Sequence, residues 1–561
     1  MADVTRDGLS DEQRAVVDCD DQAIVVRASA GSGKTEVVAQ RVERLLTVGG
    51  DQGFRVLALS YTRRAAGELR DRFASRLGEA GRRVQTDTIH GFAQALLLQY
   101  GTWIGLPAEP EVVTSDIDRV DLWQSWRVAR GDQPLPDARE TLLELDLCRA
   151  RGEQSALTEE WHTALVEAGA LDYESMLARA AELLQVPSVR RLVSRLYRHV
   201  IVDEAQNLTA SQYELLVQLV GEPDDGGRAA AMLVGDDKQS IVGFAGASAV
   251  HMSAFASSYG AREFRLSCNF RSAERIVQLV AEVATALGDE APEPQAYAAT
   301  GSVAWGEWPD EHAEGSAVAA WVVDLTTHGL PLAALAPHES RTVRPQEIGV
   351  LARSAAALRG VHSALEAAGV PVAVSTHADD WLMSDAAQLA WLIGTFQPAS
   401  AVSRRRISRH PAVSGTPSSR QELHDTLAGS SFAALASLAL TESPQDFVEV
   451  SAALDVQDED WFRDQREIAA AWGAFCDAQA ASERTWSRFV PFVSGWQNGD
   501  DQHLGVRLQT VHKAQGREFK AVAVVGLNDG QFPDFRARDE TSRQAELRAF
   551  YVAVSRPSRL L

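Results

Sequence analysis

Cysteine is scarce: the 561 residues hold four, Cys19, Cys148, Cys268 and Cys476, and no two are near each other along the chain. That spacing excludes a zinc ribbon or a paired-cysteine iron–sulfur centre and leaves four small core residues. Long apolar runs are missing too, since nothing approaches the roughly 18 residues a membrane helix needs. The opening residues Met1–Asp7 have neither the basic region nor the apolar stretch of a secretory signal, so a cytoplasmic protein without membrane association is expected. Positive charge is in deficit, with 54 Lys and Arg against 77 Asp and Glu and a net charge of −23. This balance excludes a general basic coat for wrapping nucleic acid but leaves room for one local basic track. At 45% apolar and 23% charged residues the composition is that of an ordinary globular chain, long enough for roughly three to five compact units.

What the chain does contain is an alternation of short apolar runs and helical patterns. AIVVRA (Ala23–Ala28) is β-branched and apolar, as a buried parallel strand should be. A Gly/Ser loop and the helical run Thr35–Leu46 follow, then the strand-like Arg55–Tyr61 and the helical Arg63–Gly78. Strand–loop–helix repetition predicts a doubly wound α/β unit. From about Phe92 to Leu196 helical runs dominate, with Trp103, Trp123, Trp126 and Trp161 among them. The α/β pattern returns at His199–Ala205 and Ala229–Asp237. A second α/β unit is expected from about Phe264, including Glu347–Arg353, and it resumes at Val506–His512 and Lys520–Leu527 after a mixed stretch at 397–499. Ala291–Pro294 and Pro398–Pro417 read as linkers.

Two motifs carry phosphate chemistry. ASAGSGKT (Ala28–Thr35) lies between the first strand and a helix. Ala30, Gly31, Ser32 and Gly33 can turn their backbone N–H groups inward around phosphate oxygens, helped by the helix N-terminus. Lys34 can reach the terminal phosphates and Thr35 can ligate Mg²⁺. In VIVDEAQ (Val200–Gln206) an apolar run enters two acids directly. Adjacent carboxylates at the mouth of a buried strand are costly without a cation, so Asp203 is expected to hold Mg²⁺ and Glu204 to act as general base on the attacking water. ATP and Mg²⁺ are the ligands this pair of motifs predicts.

The remaining motifs, LSDEQRAVV, ALSYTRRAAGELRDR, TDTIHGF, LVGDDKQSIVGFAGAS, LSCNFRS, QTVHKAQGREF and ELRAFYVAVSR, follow one another along the chain, and this ordered series resembles superfamily 1A DNA helicases of the UvrD/Rep/PcrA group. LSDEQRAVV (Leu9–Val17) resembles the family's adenine-reading segment, with Gln13 as its amide. ALSYTRRAAGELRDR (Ala58–Arg72) and TDTIHGF (Thr86–Phe92) resemble its first DNA-contacting motifs, which implies DNA roles for Tyr61, Thr62, Arg63 and His90. LVGDDKQSIVGFAGAS (Leu233–Ser248) is similar to the third motif, where Gln239 would sense the γ-phosphate and Phe244 would stack on a base. LSCNFRS (Leu266–Ser272) implies Phe270 against adenine and Arg271 toward the γ-phosphate. QTVHKAQGREF (Gln509–Phe519) implies His512 toward DNA and Gly516 and Glu518 toward nucleotide. ELRAFYVAVSR (Glu546–Arg556) implies Arg556 as an arginine finger.

The resemblance implies two RecA-like parallel-sheet P-loop domains with helical insertions. The expected division is 1–95 and 197–262 for the first domain, 96–196 for its insertion, 263–396 and 500–561 for the second domain, and 397–499 for a shortened insertion. It implies a 3′→5′ helicase or translocase on single-stranded DNA and at single-strand/duplex junctions, with a nuclease or repair protein as partner. Val242, Ala245, Asn207 and Arg517 depart from the family pattern, outside the expected hydrolytic core. The short insertion and the altered third motif leave a second reading: an ATP-dependent, DNA-sensing subunit that regulates a partner nuclease and unwinds little.

Overall fold

The strands buried on both faces are runs of Val, Ile, Leu and Ala, as parallel sheets covered by helices require, and some edge and two-residue strands carry polar and charged residues; all are counted together in chain order. In the computed structural model these are β1 (Ala23–Ala28), β2 (Arg55–Ser60), β3 (Val84–Thr88), the two-residue β4 (Glu111–Val112) and β5 (Ala170–Leu171), β6 (Tyr197–Val202), β7 (Ala230–Gly235), β8 (Arg262–Leu266), β9 (Ile348–Ala352), β10 (Val372–Val374), β11 (Val506–Thr510), β12 (Phe519–Val524) and β13 (Pro557–Leu560). The structure describes residues 8–50, 53–108, 110–223, 228–241, 249–288, 299–335, 339–374, 382, 384–456, 458, 460–493 and 505–561.

The chain divides into two compact units, one of Met1–Phe92, Leu184–Ser375 and His503–Leu561, the other of Ala93–Leu183 and Thr376–Gln502. The first unit holds both large sheets, each wholly parallel. Their orders are β3-β2-β6-β7-β1-β8 and β10-β11-β9-β12-β13. Two RecA-like sheets flanked by helices are therefore present, as expected. One boundary moves. β8 pairs residue for residue with β1, Ile24 opposite Arg262 through Ala28 opposite Leu266, so the first sheet ends at Leu266 and a boundary at 263 would cut its last strand. The charged sequence REFRL suits that edge position and explains why it does not read as part of a buried sheet.

The second unit is helical, and both insertions share it. Its larger core gathers Phe396, Phe447, Trp461, Phe475 and Phe489. Leu389, Ala390 and Ile393 of the helix Asp385–Gly394 join that core, so the second insertion begins near 376 rather than 397. The first insertion runs from 93 to 183 instead of 96 to 196. The helix Pro187–Leu196, assigned to that insertion from sequence, belongs to the sheet-bearing unit. Val402 of the second insertion packs with Trp123 and Trp161 of the first. Arg406 Nε meets Asp118 Oδ2 at 2.7 Å, and Arg409 pairs with the same carboxylate. Among the described residues no helix is long and apolar enough to cross a membrane.

Candidate nucleotide site

The site begins where β1 stops. Its last residue, Ala28, leads through Ser29–Gly33 into the helix Lys34–Gly49. Gly31 and Gly33 have φ of +71° and +77°, a region side chains resist. Space forbids a side chain as well: a Cβ on Gly31 would lie 2.5 Å from Asn269 Oδ1, and one on Gly33 2.7 Å from Gln13 Nε2. Both neighbours are held in place. Gln13 Nε2 donates to the Ser32 carbonyl at 2.9 Å while its Oε1 accepts from Ser10 N at 3.0 Å. Asn269 Oδ1 accepts from the N–H of Arg271 and of Ser272, both at 2.9 Å, and Phe270 N donates to the Gly31 carbonyl at 2.8 Å. Gln13 thus braces the loop with one end of its amide and caps its own helix with the other. Ser32 Oγ is buried without a hydrogen-bond partner among the described residues, an orphan that a phosphate oxygen would satisfy.

The acidic pair caps β6. Asp203 N donates to the Leu59 carbonyl at 2.8 Å, which extends the ladder by one residue. Glu204 then turns to φ +55°, the one non-glycine residue in the left-handed region among those described. Such a conformation costs on the order of 1–3 kcal/mol and is found where surroundings enforce it. It brings Glu204 Oε1 to 3.3 Å from Lys34 Nζ and Oε2 to 2.5 Å from Gln206 Nε2. Burial pulls the Lys34 ammonium down, but Glu204, Asp236 and Asp203 outweigh it and the net direction is up. Burial pushes Asp203 up, repulsion from Glu204 adds to it, and the carboxyl rises to about 7. Glu204 is also pushed up by burial, but Lys34, Gln206 and Arg556 hold it below the ordinary range. Glu204 is therefore held as a carboxylate, while Asp203 holds a proton readily unless a cation replaces it. No group of three or more His, Cys, Asp or Glu that could hold a metal ion occurs among the described residues. The donor set fits Mg²⁺, which takes one or two protein oxygens and completes its shell with water and phosphate. Thr35 and Asp203 would supply those oxygens.

From here a polar chain crosses to the second sheet. Gln206 Oε1 accepts from Asp236 N at 3.1 Å, and Asp236 Oδ2 accepts from Gln239 Nε2 at 2.8 Å. Gln239 Oε1 then accepts from Arg556 Nη2 at 2.8 Å. Arg556 follows the helix Glu540–Val554, is 3% exposed and donates from Nε to the Val552 carbonyl. Burial first and Arg271 second lower it to about 10, so it remains a cation at neutral pH. Arg271 is ion-paired with Glu518. The residues after Arg271 are tied to the second sheet, since Ser272 Oγ donates to the Pro557 carbonyl at 2.9 Å and Ala273 N to that of Ser558 at 2.9 Å.

The structure brings Gln13, Ala30–Thr35, Asp203, Glu204, Gln239, Phe270, Arg271, Glu518 and Arg556 to this one region through these contacts and the loop they brace. Gly516 sits at an open turn with φ +78°. The residues assigned to DNA lie just past the carboxyl ends of strands. Tyr61 follows β2 half-buried, Thr62 caps the next helix by accepting from Ala65 N at 3.1 Å, and Arg63 is exposed. His90 follows β3, where burial and then Arg63 lower it to about 4, so it is neutral. His512 follows β11, lowered by burial and Arg353 and in contact with the Ile241 backbone. Phe244, Val242 and Ala245 lie outside the described residues. Sequence reasoning gave no role to Gln206, Asp236, Asn269 and Tyr551, although all four stand inside the motifs it singled out.

A phosphate loop, an ionised acid beside it and a buried arginine delivered from a second parallel sheet define a two-sheet P-loop ATPase. Residues 9–260 match the family described as UvrD/REP helicase N-terminal domain, and residues 494–561 the one described as UvrD-like helicase C-terminal domain. The chain belongs to the UvrD/Rep helicase family. It is 26% identical to the ATP-dependent DNA helicase UvrD1 of Mycobacterium tuberculosis (strain ATCC 25618 / H37Rv), over 99% of this chain and 82% of that protein. It is 25% identical to DNA helicase II of Escherichia coli (strain K12), over 98% of this chain and 83% of that one. The ATP-dependent DNA helicase UvrD2 of Mycobacterium tuberculosis (strain CDC 1551 / Oshkosh) is 26% identical over 98% of this chain and 77% of its own length.

Proposed function

We propose that this protein is an ATP-driven DNA helicase and translocase that moves 3′→5′ along single-stranded DNA and acts at junctions with duplex. The observation that carries the proposal is the bond from Arg556 to Gln239, because it joins the hydrolytic side of one sheet to a cation fixed on the other. Phosphoryl transfer needs positive charge on both sides of the leaving phosphate. Lys34 supplies it from the loop, and Arg556 and Arg271 from the other side. Glu204, held ionised, takes the proton of the attacking water through Oε1 or Oε2. Mg²⁺, when bound by Thr35 and Asp203, neutralises charge on the phosphate oxygens. Binding of ATP between these groups draws the two RecA-like sheets together, and its hydrolysis lets them part.

Tyr61, Thr62, Arg63, His90, Phe244 and His512 are the proposed contacts to DNA. Aromatic faces stack on any base, at about 1–3 kcal/mol each, so movement need not read sequence. The parentage of the chain and the complete hydrolytic set support a motor over a purely regulatory subunit of a nuclease. Turnover of ATP with and without single-stranded DNA, with Lys34→Ala as the control, tests this. Strong stimulation that Lys34→Ala eliminates is expected; turnover indifferent to DNA would overturn it. Strand displacement on a substrate with a 3′ tail, but not with a 5′ tail, tests the direction.

A further inference from the structure

The polar chain between the sheets has a member that the hydrolytic chemistry does not use. Tyr551 lies on the helix Glu540–Val554 and is wholly buried. Its ring packs among Ile276, Val280, Ala284 and Val554, a core that phenylalanine would fill as well. The hydroxyl adds nothing to that packing, and burying it without partners would be unfavourable. It donates to Asp236 Oδ2 at 3.3 Å, on the first sheet's side of the site.

Asp236 is where this matters. The same Oδ2 accepts Gln239 Nε2 at 2.8 Å, and that bond decides which end of the Gln239 amide faces Arg556. With Nε2 on Asp236, Oε1 is presented to the guanidinium, 2.8 Å from Arg556 Nη2. Reversal of the amide would set two donors against each other there and leave the Asp236 oxygen facing a carbonyl. Asp236 is in turn fixed through Oδ1, which accepts Lys238 N at 3.2 Å, and through its own N–H on Gln206.

We infer that Tyr551 is a positioning residue for ATP hydrolysis: its hydroxyl pins Asp236, and through it the Gln239 amide, in the one orientation that receives Arg556. The tyrosine and Arg556 ride on the same stretch of chain, so the hydroxyl arrives at Asp236 together with the guanidinium at Gln239. The inference rests on the ATPase reading above.

Tyr551→Phe in the full chain removes one oxygen and keeps the ring. We expect kcat for ATP to fall about tenfold, the effect of one lost hydrogen bond to a charged group, with KM within about twofold and an unchanged melting temperature. The discriminating measurement is a double-mutant cycle with Gln239→Ala. If Tyr551 acts through Gln239, Tyr551→Phe lowers kcat by less than about twofold once Gln239 is gone. Wild-type kcat in Tyr551→Phe, or an equal loss in both backgrounds, overturns the inference. Should Tyr551→Phe fail to fold, Asp236→Asn probes the same contact, and an unchanged kcat there overturns it equally. The two readings fail separately: absence of ATP turnover in the wild-type protein would sink both, while normal wild-type turnover with an unaffected Tyr551→Phe sinks this one alone.

Discussion

Both compact units bury charge, and they do so in opposite ways. In the helical unit Asp172 is pushed up by burial, yet it accepts from Arg149, Trp161 and Ser175 and ends well below the ordinary carboxylate range. Asp464 similarly accepts from Ser384 N at 2.8 Å and pairs with Arg463. Both of these carboxylates are matched to partners of their own, which leaves them nothing for a ligand to satisfy. In the sheet-bearing unit the balance is left open. Asp203 rises to about 7, Glu204 is bent into a left-handed turn, Ser32 Oγ has no partner among the described residues, and Arg556 is lowered to about 10. Buried charge alone therefore does not mark a functional site; mismatch that a ligand would correct does.

The largest test of this contrast is Arg556→Ala. If Arg556 acts as proposed, its removal should reduce DNA-stimulated kcat by about 10³-fold or more, the scale of an arginine finger, with little change in melting temperature. Glu204→Gln should reduce turnover by about 10²–10⁴-fold while ATP still binds, measured by equilibrium binding beside steady-state hydrolysis. Normal hydrolysis by Glu204→Gln would remove it as the base. In the helical unit the effect should move from rate to stability. Asp172→Ala strands Arg149 and should cost about 3–5 kcal/mol in denaturant unfolding, with ATP affinity unchanged; a loss of ATP affinity would break the contrast.

Glu111 gives a pH-dependent test between the two insertions. Burial, opposed by Arg406 and reinforced by Asp118, raises it to about 7 from an ordinary 4.5. The folded protein then binds more protons than the unfolded chain between those values, so this group's contribution to stability is present below about 4.5 and is lost as pH rises through about 7. Melting curves of wild type and Glu111→Gln from pH 5 to 8 should converge at the acid end and separate, with the variant more stable, by at most about 3 kcal/mol at the alkaline end. Parallel curves would mean that Glu111 is as well matched as Asp172. Gly31→Ala should add about 1–2 kcal/mol of backbone strain to the displacement of Asn269 that its Cβ would force, read as a lower melting temperature and a raised KM for ATP.

The hydrolytic half of the site was legible because its residues adjoin recognisable local structure. A loop after β1 and acids after β6 are set by strand ends a few residues away. The members found only in three dimensions act across long separations: Tyr551 reaches Asp236, and Asn269 fills the space over Gly31. Their residue types carry no signal of that, since a tyrosine at helical spacing and an asparagine in a turn are ordinary. The strand β8 escaped because an edge strand shows alternation and charge instead of a buried run. The helix Asp385–Gly394 escaped because apolar periodicity says that a face is buried, and not against which neighbour.

The segment from Ser267 to Ser272 is fastened at one end to the phosphate loop and at the other to β13. On the function proposed above, a ligand that fills the loop would push beside the hinge of the two sheets rather than at their rims. Work done there would act on the short arm of a lever, so that displacements of the size of a hydrogen bond would become larger excursions at the far edges, delivered at correspondingly lower force, as a motor that shifts its grip along a strand would need.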